Sequence, residues 1–585
     1  MTISTSSRSG NWSADGQGDT PQGSLLPSPD VDNNGFADYS FVSADGGAVN
    51  LVLENRTADA LKIRIEDQAA GVVSESGVIQ YNENALVIAS ADNFGEDIVA
   101  ERDHRFQVRA VARDPATGKC GLVNDYDGTL DFKAWLVRST NDAGGSSPEV
   151  QSGTLTTLQL PSSRPAAANL PLDFSKGVAP LRLSTSDVGQ YRLTLLDDQS
   201  GIVVDQAGQP LPVAGQSALW TVRPDRFELT VAGNPGASTA SGAVFGAAGD
   251  PFELTLTAVG AAGNATPGYG QEADSQGANL SHDLVAPAGG NAGVLAGTLA
   301  LPGGAFVNGE TRAADLTWNE VGILRLTARN DSYLGVTPPI TGSSGAVGRF
   351  VPARFEVAVD PGTLGAFCGS GTAFVYAGQP MPWSILPEIR VTALSTGGDI
   401  TKNYTQGGFQ KLTANDVVIA PPGTDATATD LNGTGYPVNS VMETGVLSSV
   451  GPGLMTYSLS SNDRFTYRKS SEARIAPFTP DLRFFVSSIL DSDGVSATMA
   501  PYGFTPAASF DIRYGRLFLE NAYGPETLTA LPMPFRVEYW NGSGFVTNTA
   551  DSCTTWATTD ITDTENYHSL DAASGTLSAG QGGPL

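Results

Sequence analysis

The stretch PDVDNNGFADYS at 29–40 places oxygen-bearing side chains at alternate positions: Asp30, Asp32, Asn34 and Asp38, with a glycine at 35. Loops that begin D-x-D-x-[DN]-G wrap such oxygens around a hard cation, and the glycine permits the tight turn. The peptide carbonyl of Phe36 is the natural further ligand. Calcium is therefore the ion expected at Asp30, Asp32, Asn34, Phe36 and Asp38. The twelfth position of an EF-hand loop falls on Phe41 rather than a glutamate, and no flanking helices are evident. An Asp/Asn-rich turn without metal is the competing reading.

Other chemistry has less to work with. The three cysteines, Cys120, Cys368 and Cys553, lack the C-x-x-C spacing of zinc or dithiol sites. The three histidines, His104, His282 and His568, stand at unrelated positions and read as loop or surface residues. No G-x-S-x-G or G-x-x-x-x-G-K-[ST] phrase occurs. The acidic runs NDYDGTLD, with Asp125, Asp127 and Asp131, and LDSDG, with Asp491 and Asp493, read as β-turns. Tyr539, Trp540 and Phe545 flank an Asn541-Gly542 turn. They offer either a flat platform for a sugar ring or a hairpin whose rings alternate between core and solvent. The expectation is a protein without catalytic residues.

The elements that would carry these residues are strands. The chain has 585 residues, with 68 glycines and 36 prolines, and reads as turn-rich all-β structure in several domains. It also repeats itself. RPDRFELTV at 223–231 returns as VPARFEVAV at 351–359. The alternating strands FQVRAVA (106–112), FELTLTA (252–258) and IRVTALS (389–395) are each followed by a turn and a tyrosine, Tyr126, Tyr269 or Tyr404. Each unit then closes on a Gly-led strand: DVGQYRLTLLDD (187–198), EVGILRLTARND (320–331) and GPGLMTYSLSSND (451–463).

A period of about 130 residues predicts tandem immunoglobulin-like β-sandwich modules in an elongated arrangement. The boundaries expected are a disordered leader at 1–28, an N-terminal β module with the calcium loop at 29–100, and repeats at 101–222, 223–350 and 351–475. A C-terminal β domain, opened by TPDLRFFV and lacking its final strands, follows at 476–585. The net charge of −28 argues against nucleic-acid partners. No apolar run is long enough to predict membrane insertion.

The C-terminal third carries a resemblance. FVYAGQPMPW (374–383), TKNYT (401–405), IRYGRLFLENAYGPE (512–526) and LPMPFRVEYWNGSGFVTNTADSCTTW (531–556) resemble the biogenesis protein Q (MshQ) family of the mannose-sensitive haemagglutinin type IV pilus. The match covers roughly 350–585, and upstream it rests on the repeats. It implies a multi-domain protein at the surface of a Gram-negative bacterium, serving pilus assembly or adhesion. Pilus or cell-surface components and a glycan or other surface ligand would be its partners. It supplies no catalytic residues. Pairing Cys368 with Cys553, which lie in the family-like phrases, would lock the third repeat to the C-terminal domain. The rival expectations are the accessory modules of a secreted carbohydrate-active enzyme, and a passive filament or surface-layer component.

Overall fold

The computed structural model describes residues 1–14, 22–55, 59–81, 84–95, 97–113, 120–152, 157–204, 208–369, 372–429, 435–471, 474–525, 527–528, 531–560 and 573–583. Its described secondary structure is strands and short 3-10 turns, as the alternating pattern requires. No helix among the described residues is long and apolar enough to cross a membrane. His568 lies outside the described residues.

Three modules share one plan. In the first, one sheet runs in the order Asn84–Ser90, His104–Arg113, Val178–Ser184, Glu149–Gln151, Leu158–Gln159. The facing sheet runs Ile98–Val99, Trp220–Arg223, Gly189–Asp197, Gly128–Arg138, Leu170–Phe174. Alternate side chains along these strands point between the sheets, and Phe106, Val108, Phe132, Leu181 and Leu193 are buried there. The second module repeats the plan with Arg226–Val231, Pro251–Val259 and Glu310–Trp318 against Val347–Val351, Gly322–Asn330 and Ala278–Ala286. The third sets Arg354–Asp360, Glu388–Leu394 and Leu454–Ser458 against Val417–Ala420, Phe484–Ile489 and Tyr502–Phe504. In all three a short early strand pairs in parallel with the module's last one: Ile98 with Val222, Gly246 with Phe350, and Phe374 with Asp511.

The strand pairing moves several expected boundaries. Residues 1–28 are not simply a disordered leader. Thr2–Thr5 lies inside a five-stranded sheet between Phe36–Ser40 and Ile63–Asp67, and Asn11–Ser13 and Ser24–Leu26 are strands as well. Ile3, Trp12, Leu25, Ala37 and Tyr39 form that module's small core. Asn84–Ser90 belongs to the first repeat rather than to the N-terminal module, because it pairs along its full length with Ser90↔Phe106 to Asn84↔Ala112. TPDLRFFV does not open the C-terminal domain, since Phe484–Ile489 pairs with Val417–Ala420 inside the third module.

The third closing phrase does not fall on the strand equivalent to the first two. Gly189 and Gly322 start strands of the sheet that carries the module's last strand. Leu454–Ser458, after Gly453, pairs instead with Glu388–Leu394 in the other sheet. An added sheet, Pro380–Met381, Arg464–Tyr467, Gly435–Val441 and Thr424–Thr429, displaces the true counterpart to Phe484–Ile489. A last, smaller domain holds Gly515–Leu519, Phe535–Trp540 and Phe545–Thr547, with the pair Thr555–Ala557 and Ser574–Thr576 beside it.

Candidate functional site: the module junctions

The repeated phrases DVG and EVG are where modules meet. Asp187 and Val188 end the loop before strand Gly189–Asp197 of the first module. Val188 is 1% exposed, yet the core it joins is that of the second module, with Phe227, Tyr269 and Trp318. The Asp187 carboxylate accepts the amide of Gly268, which precedes Tyr269, at 2.8 Å. The same geometry recurs one module on. Val321 is buried in the third module's core with Phe355 and Tyr404. Glu320 accepts the amides of Lys402 at 3.0 Å and Asn403 at 3.1 Å, in the turn that precedes Tyr404. Each carboxylate also caps the amide of its own valine at 2.8 Å.

A second bond repeats beside the first. The carbonyl of Ala100 accepts the amide of Ala261 at 2.9 Å, and the carbonyl of Ala248 accepts that of Thr396 at 2.8 Å. Glu101 takes the Asn264 side-chain amide at 2.6 Å, while Asp250 takes the Thr396 hydroxyl at 2.7 Å. Gly322 is obligatory at the second junction, because its φ is +137° and a Cβ there would stand 2.3 Å from the Ala286 carbonyl oxygen. Arg349 of the second module forms a two-pronged ion pair with Asp493 of the third, with 2.8 Å for one arm.

Burial is the largest influence on the acidity of Asp187 and of Glu320, and it raises both above the ordinary carboxylate values. The donated amides pull each part of the way back. These carboxylates therefore hold a junction together by accepting backbone hydrogen bonds, with desolvation opposing their charge.

The repeated tyrosines act inside the modules. Tyr126, Tyr269 and Tyr404 are 0% exposed. The Tyr126 hydroxyl donates to Asp197 at 2.6 Å, and the Tyr404 hydroxyl donates to Asp491 at 2.7 Å. In the second module Asn330 stands in that place and donates to the Tyr269 hydroxyl at 3.1 Å. Each bond ties one sheet's turn to the far end of the module's central strand. Asp491 and Asp493, read as a plain Asp-Gly turn, thus each hold a buried partner.

The third module carries Asp481-Leu482 at the place of Asp187-Val188, but Asp481 is exposed. The C-terminal domain is fastened differently. Cys368 and Cys553 form a disulfide with a Cα–Cα distance of 5.6 Å. Tyr376 is held by Asn548 at 2.6 Å and by Asp551 at 3.0 Å. Asp551 is 0% exposed and also receives the amides of Cys553 and Thr554.

The remaining expected site residues are placed as follows. Asp30 turns inward, 7% exposed, and accepts the Trp12 amide at 2.7 Å. Asp32 and Asn34 bond one another at 3.2 Å, and Asn34 also takes the Phe36 amide at 2.8 Å. Asp38 sits on a strand and takes the Thr2 hydroxyl at 2.6 Å. No group of three or more His, Cys, Asp or Glu side chains converges as a metal site among the described residues. Tyr539, Trp540 and Phe545 do not form one platform, because adjacent strand residues face opposite sides. Trp540 meets Phe545 edge to face at 5.4 Å under Arg474 and Arg516, while Tyr539 lies 4.8 Å from Arg513. His104, expected on a loop or surface, is buried within strand His104–Arg113, where its Nε2 accepts the Val99 amide at 3.0 Å.

Comparison with known proteins matches four successive domains. Residues 65–207 match "Domain of unknown function (DUF6701), first Ig-like domain", residues 223–316 the DUF6701 second domain, 320–511 its third and 513–583 its fourth. No curated protein matches. Among solved structures, invasin, a bacterial integrin-binding protein, is similar at 13% identity over 88% of this chain and 72% of that one, with a TM-score of 0.18. Protocadherin gamma B2 extracellular cadherin domains 3–6 are similar at 11% identity over 88% and 92%, with a TM-score of 0.20. The surface-layer protein SbsC, domains 1–6, is similar at 12% identity over 97% and 58%, with a TM-score of 0.17. Scores of this size carry no argument about function. The family matches do identify the molecule: in order and over most of its length, the chain belongs to the DUF6701 family, whose first domain is Ig-like.

Proposed function

We propose that this chain is a non-enzymatic extracellular adhesin or stalk, whose tandem modules hold a binding surface away from a bacterial cell. The observation that carries the reading is the junction built twice from equivalent residues, with Val188 and Val321 each buried in the core of the next module. A valine plugged into a neighbouring core resists bending far better than a flexible linker does. The resemblance to the pilus biogenesis family supplies the finer proposal: a Gram-negative cell surface, with pilus or cell-surface components as partners.

Calcium is part of the same proposal. The Asp30 Oδ1 is buried and has no hydrogen-bond partner among the described residues, and a cation at the N-terminal loop would satisfy it. Millimolar calcium then raises the melting temperature of the N-terminal module, and Asp30→Asn abolishes the rise. An unchanged melting curve removes calcium from the reading.

Small-angle scattering on the full chain tests the stalk. The native chain gives the profile of a semi-rigid rod, and Val188→Asp with Val321→Asp gives that of a flexible string with strand content retained by circular dichroism. A compact native particle, or a variant as stiff as the native chain, overturns it.

A further inference from the structure

A cleft of about 470 Å³ opens where the third module meets the C-terminal domain. One wall is the turn Tyr376, Ala377, Gly378 and Gln379, and the other is the sheet carrying Leu517, Phe535 and Val537. Thr554, Thr555 and Trp556 close the end. This volume is in the range of small-ligand sites, roughly 300–1,000 Å³.

The walls belong to two domains, yet they are fixed in place. Gly515 leaves room for the Tyr376 ring to lie on its strand, because a Cβ there would stand 2.4 Å from the ring's Cδ1. The Tyr376 hydroxyl is held by Asn548 and Asp551, and the disulfide from Cys368 to Cys553 spans the same boundary. A site held open in this way loses little to ordering when a ligand enters.

The lining is apolar below and polar at the rim. Phe535 and Trp556 meet edge to face at 5.1 Å, and Leu517 is 50% exposed beside them. Gln379, Thr554 and Thr555 also line the cleft. The Gln379 Oε1 accepts the Tyr376 amide at 3.0 Å and the Thr554 hydroxyl donates to Asp551 at 2.7 Å, so the Gln379 side-chain NH2 and the Thr555 hydroxyl are the groups offered to a ligand. Of the charged groups, Arg516 is committed to Glu538 at 2.6 Å, and Asp560 accepts its own turn's Ala557 amide at 3.0 Å. Among the described residues, Lys469 is the lining cation without an ion pair. Its ammonium lies 5.4 Å from the Tyr514 ring centre, and surrounding atoms desolvate it and lower its pKa. In a chain with 61 acidic and 33 basic side chains, a lysine at a cleft with no ion-pair partner among the described residues fits an anionic ligand group.

We propose that this cleft binds a saccharide that carries a carboxylate, with an apolar ring face against Trp556 and Leu517 and the carboxylate on Lys469. A pyranose has one flat C–H face and hydroxyls around its edge, which matches an aromatic and aliphatic floor inside a rim of amide and hydroxyl groups. The volume accommodates one or two sugar rings and is short for an extended peptide. The inference goes beyond the stalk reading, and binding is measured separately from stiffness, so either can fail alone.

Isothermal titration of the full chain tests it with four probes: galacturonic acid, trigalacturonate, uncharged galactose and a tetraglutamate peptide. Trigalacturonate is expected to bind, with galacturonic acid at least tenfold tighter than galactose and a Kd that rises with salt. Lys469→Gln should weaken the acidic sugars at least tenfold, and Leu517→Asp should abolish binding, both with an unchanged melting curve. If no acidic sugar binds, the proposal falls. It falls equally if galactose binds as well as galacturonic acid, if Lys469→Gln has no effect, or if tetraglutamate binds more tightly than trigalacturonate.

Discussion

At the residue scale, the carboxylates of the junctions make a prediction whose sign follows from burial. Asp187 and Glu320 have raised pKa values in the folded chain, so the native state holds their protons more tightly than the unfolded state does. Their contribution to stability is then fullest below the ordinary carboxylate value of about 4 and falls as pH rises through the folded value. Asp187→Asn keeps one oxygen for the amides of Gly268 and Val188, which share Oδ1, and removes the charge. At pH 7 it should unfold in urea with unchanged or higher stability, by up to about 1 kcal/mol, and the difference from the native chain should vanish toward pH 4. Glu320→Gln differs, because both Glu320 oxygens accept amides and the new NH2 would face a donor, so it should destabilise. Asp187→Ala, which strands the amides of Gly268 and Val188, should lose about 1–3 kcal/mol instead. Tyr404→Phe leaves Asp491 buried without its hydroxyl donor and should cost a similar amount, read in the third module's transition.

At the element scale, a junction is a short loop with a valine at its tip. Val321→Ala removes two buried methyl groups from the third module's core and should cost about 1–3 kcal/mol there, although the residue belongs to the second module's strand order. Differential scanning calorimetry should therefore show the third module melting earlier while the first stays in place. If only the second module shifts, the plug is not what couples them. The pairing of strands could be read only in part from their sequences. Asn84–Ser90 alternates as well as any strand in the N-terminal module, and a period of two names a face without naming a partner. The added sheet of the third module likewise hides Phe484–Ile489 as the counterpart of Gly189–Asp197, because Gly453 precedes a strand of the other sheet and the equivalent strand is marked instead by Asp491 at its end.

At the scale of the whole molecule, the first two junctions are non-covalent and the last is stapled. The disulfide closes a separation of 185 residues, and restricting an unfolded chain over such a loop is worth about 5 kcal/mol in the chain-entropy treatment. Reduction, or Cys368→Ser with Cys553→Ser, should lower the melting temperature of the C-terminal domain by several degrees and expose residues near the third–fourth boundary to limited proteolysis. The modules before it should melt unchanged. Equal stability of the reduced and oxidised chains would mean that the Tyr376, Asn548 and Asp551 network suffices by itself.

The sequence alone determined that the chain is all-β, that its modules repeat in tandem, and that a tyrosine and a D/E-V-G phrase recur in them. These are local matters of alternation, turn residues and period, which neighbouring residues record. Only the tertiary structure decided which strands pair, that Val188 and Val321 leave their own modules for the next core, and that Tyr539 and Trp540 face apart. Those outcomes depend on groups far apart in the chain competing to bury apolar surface and satisfy backbone amides, and no short stretch contains both competitors.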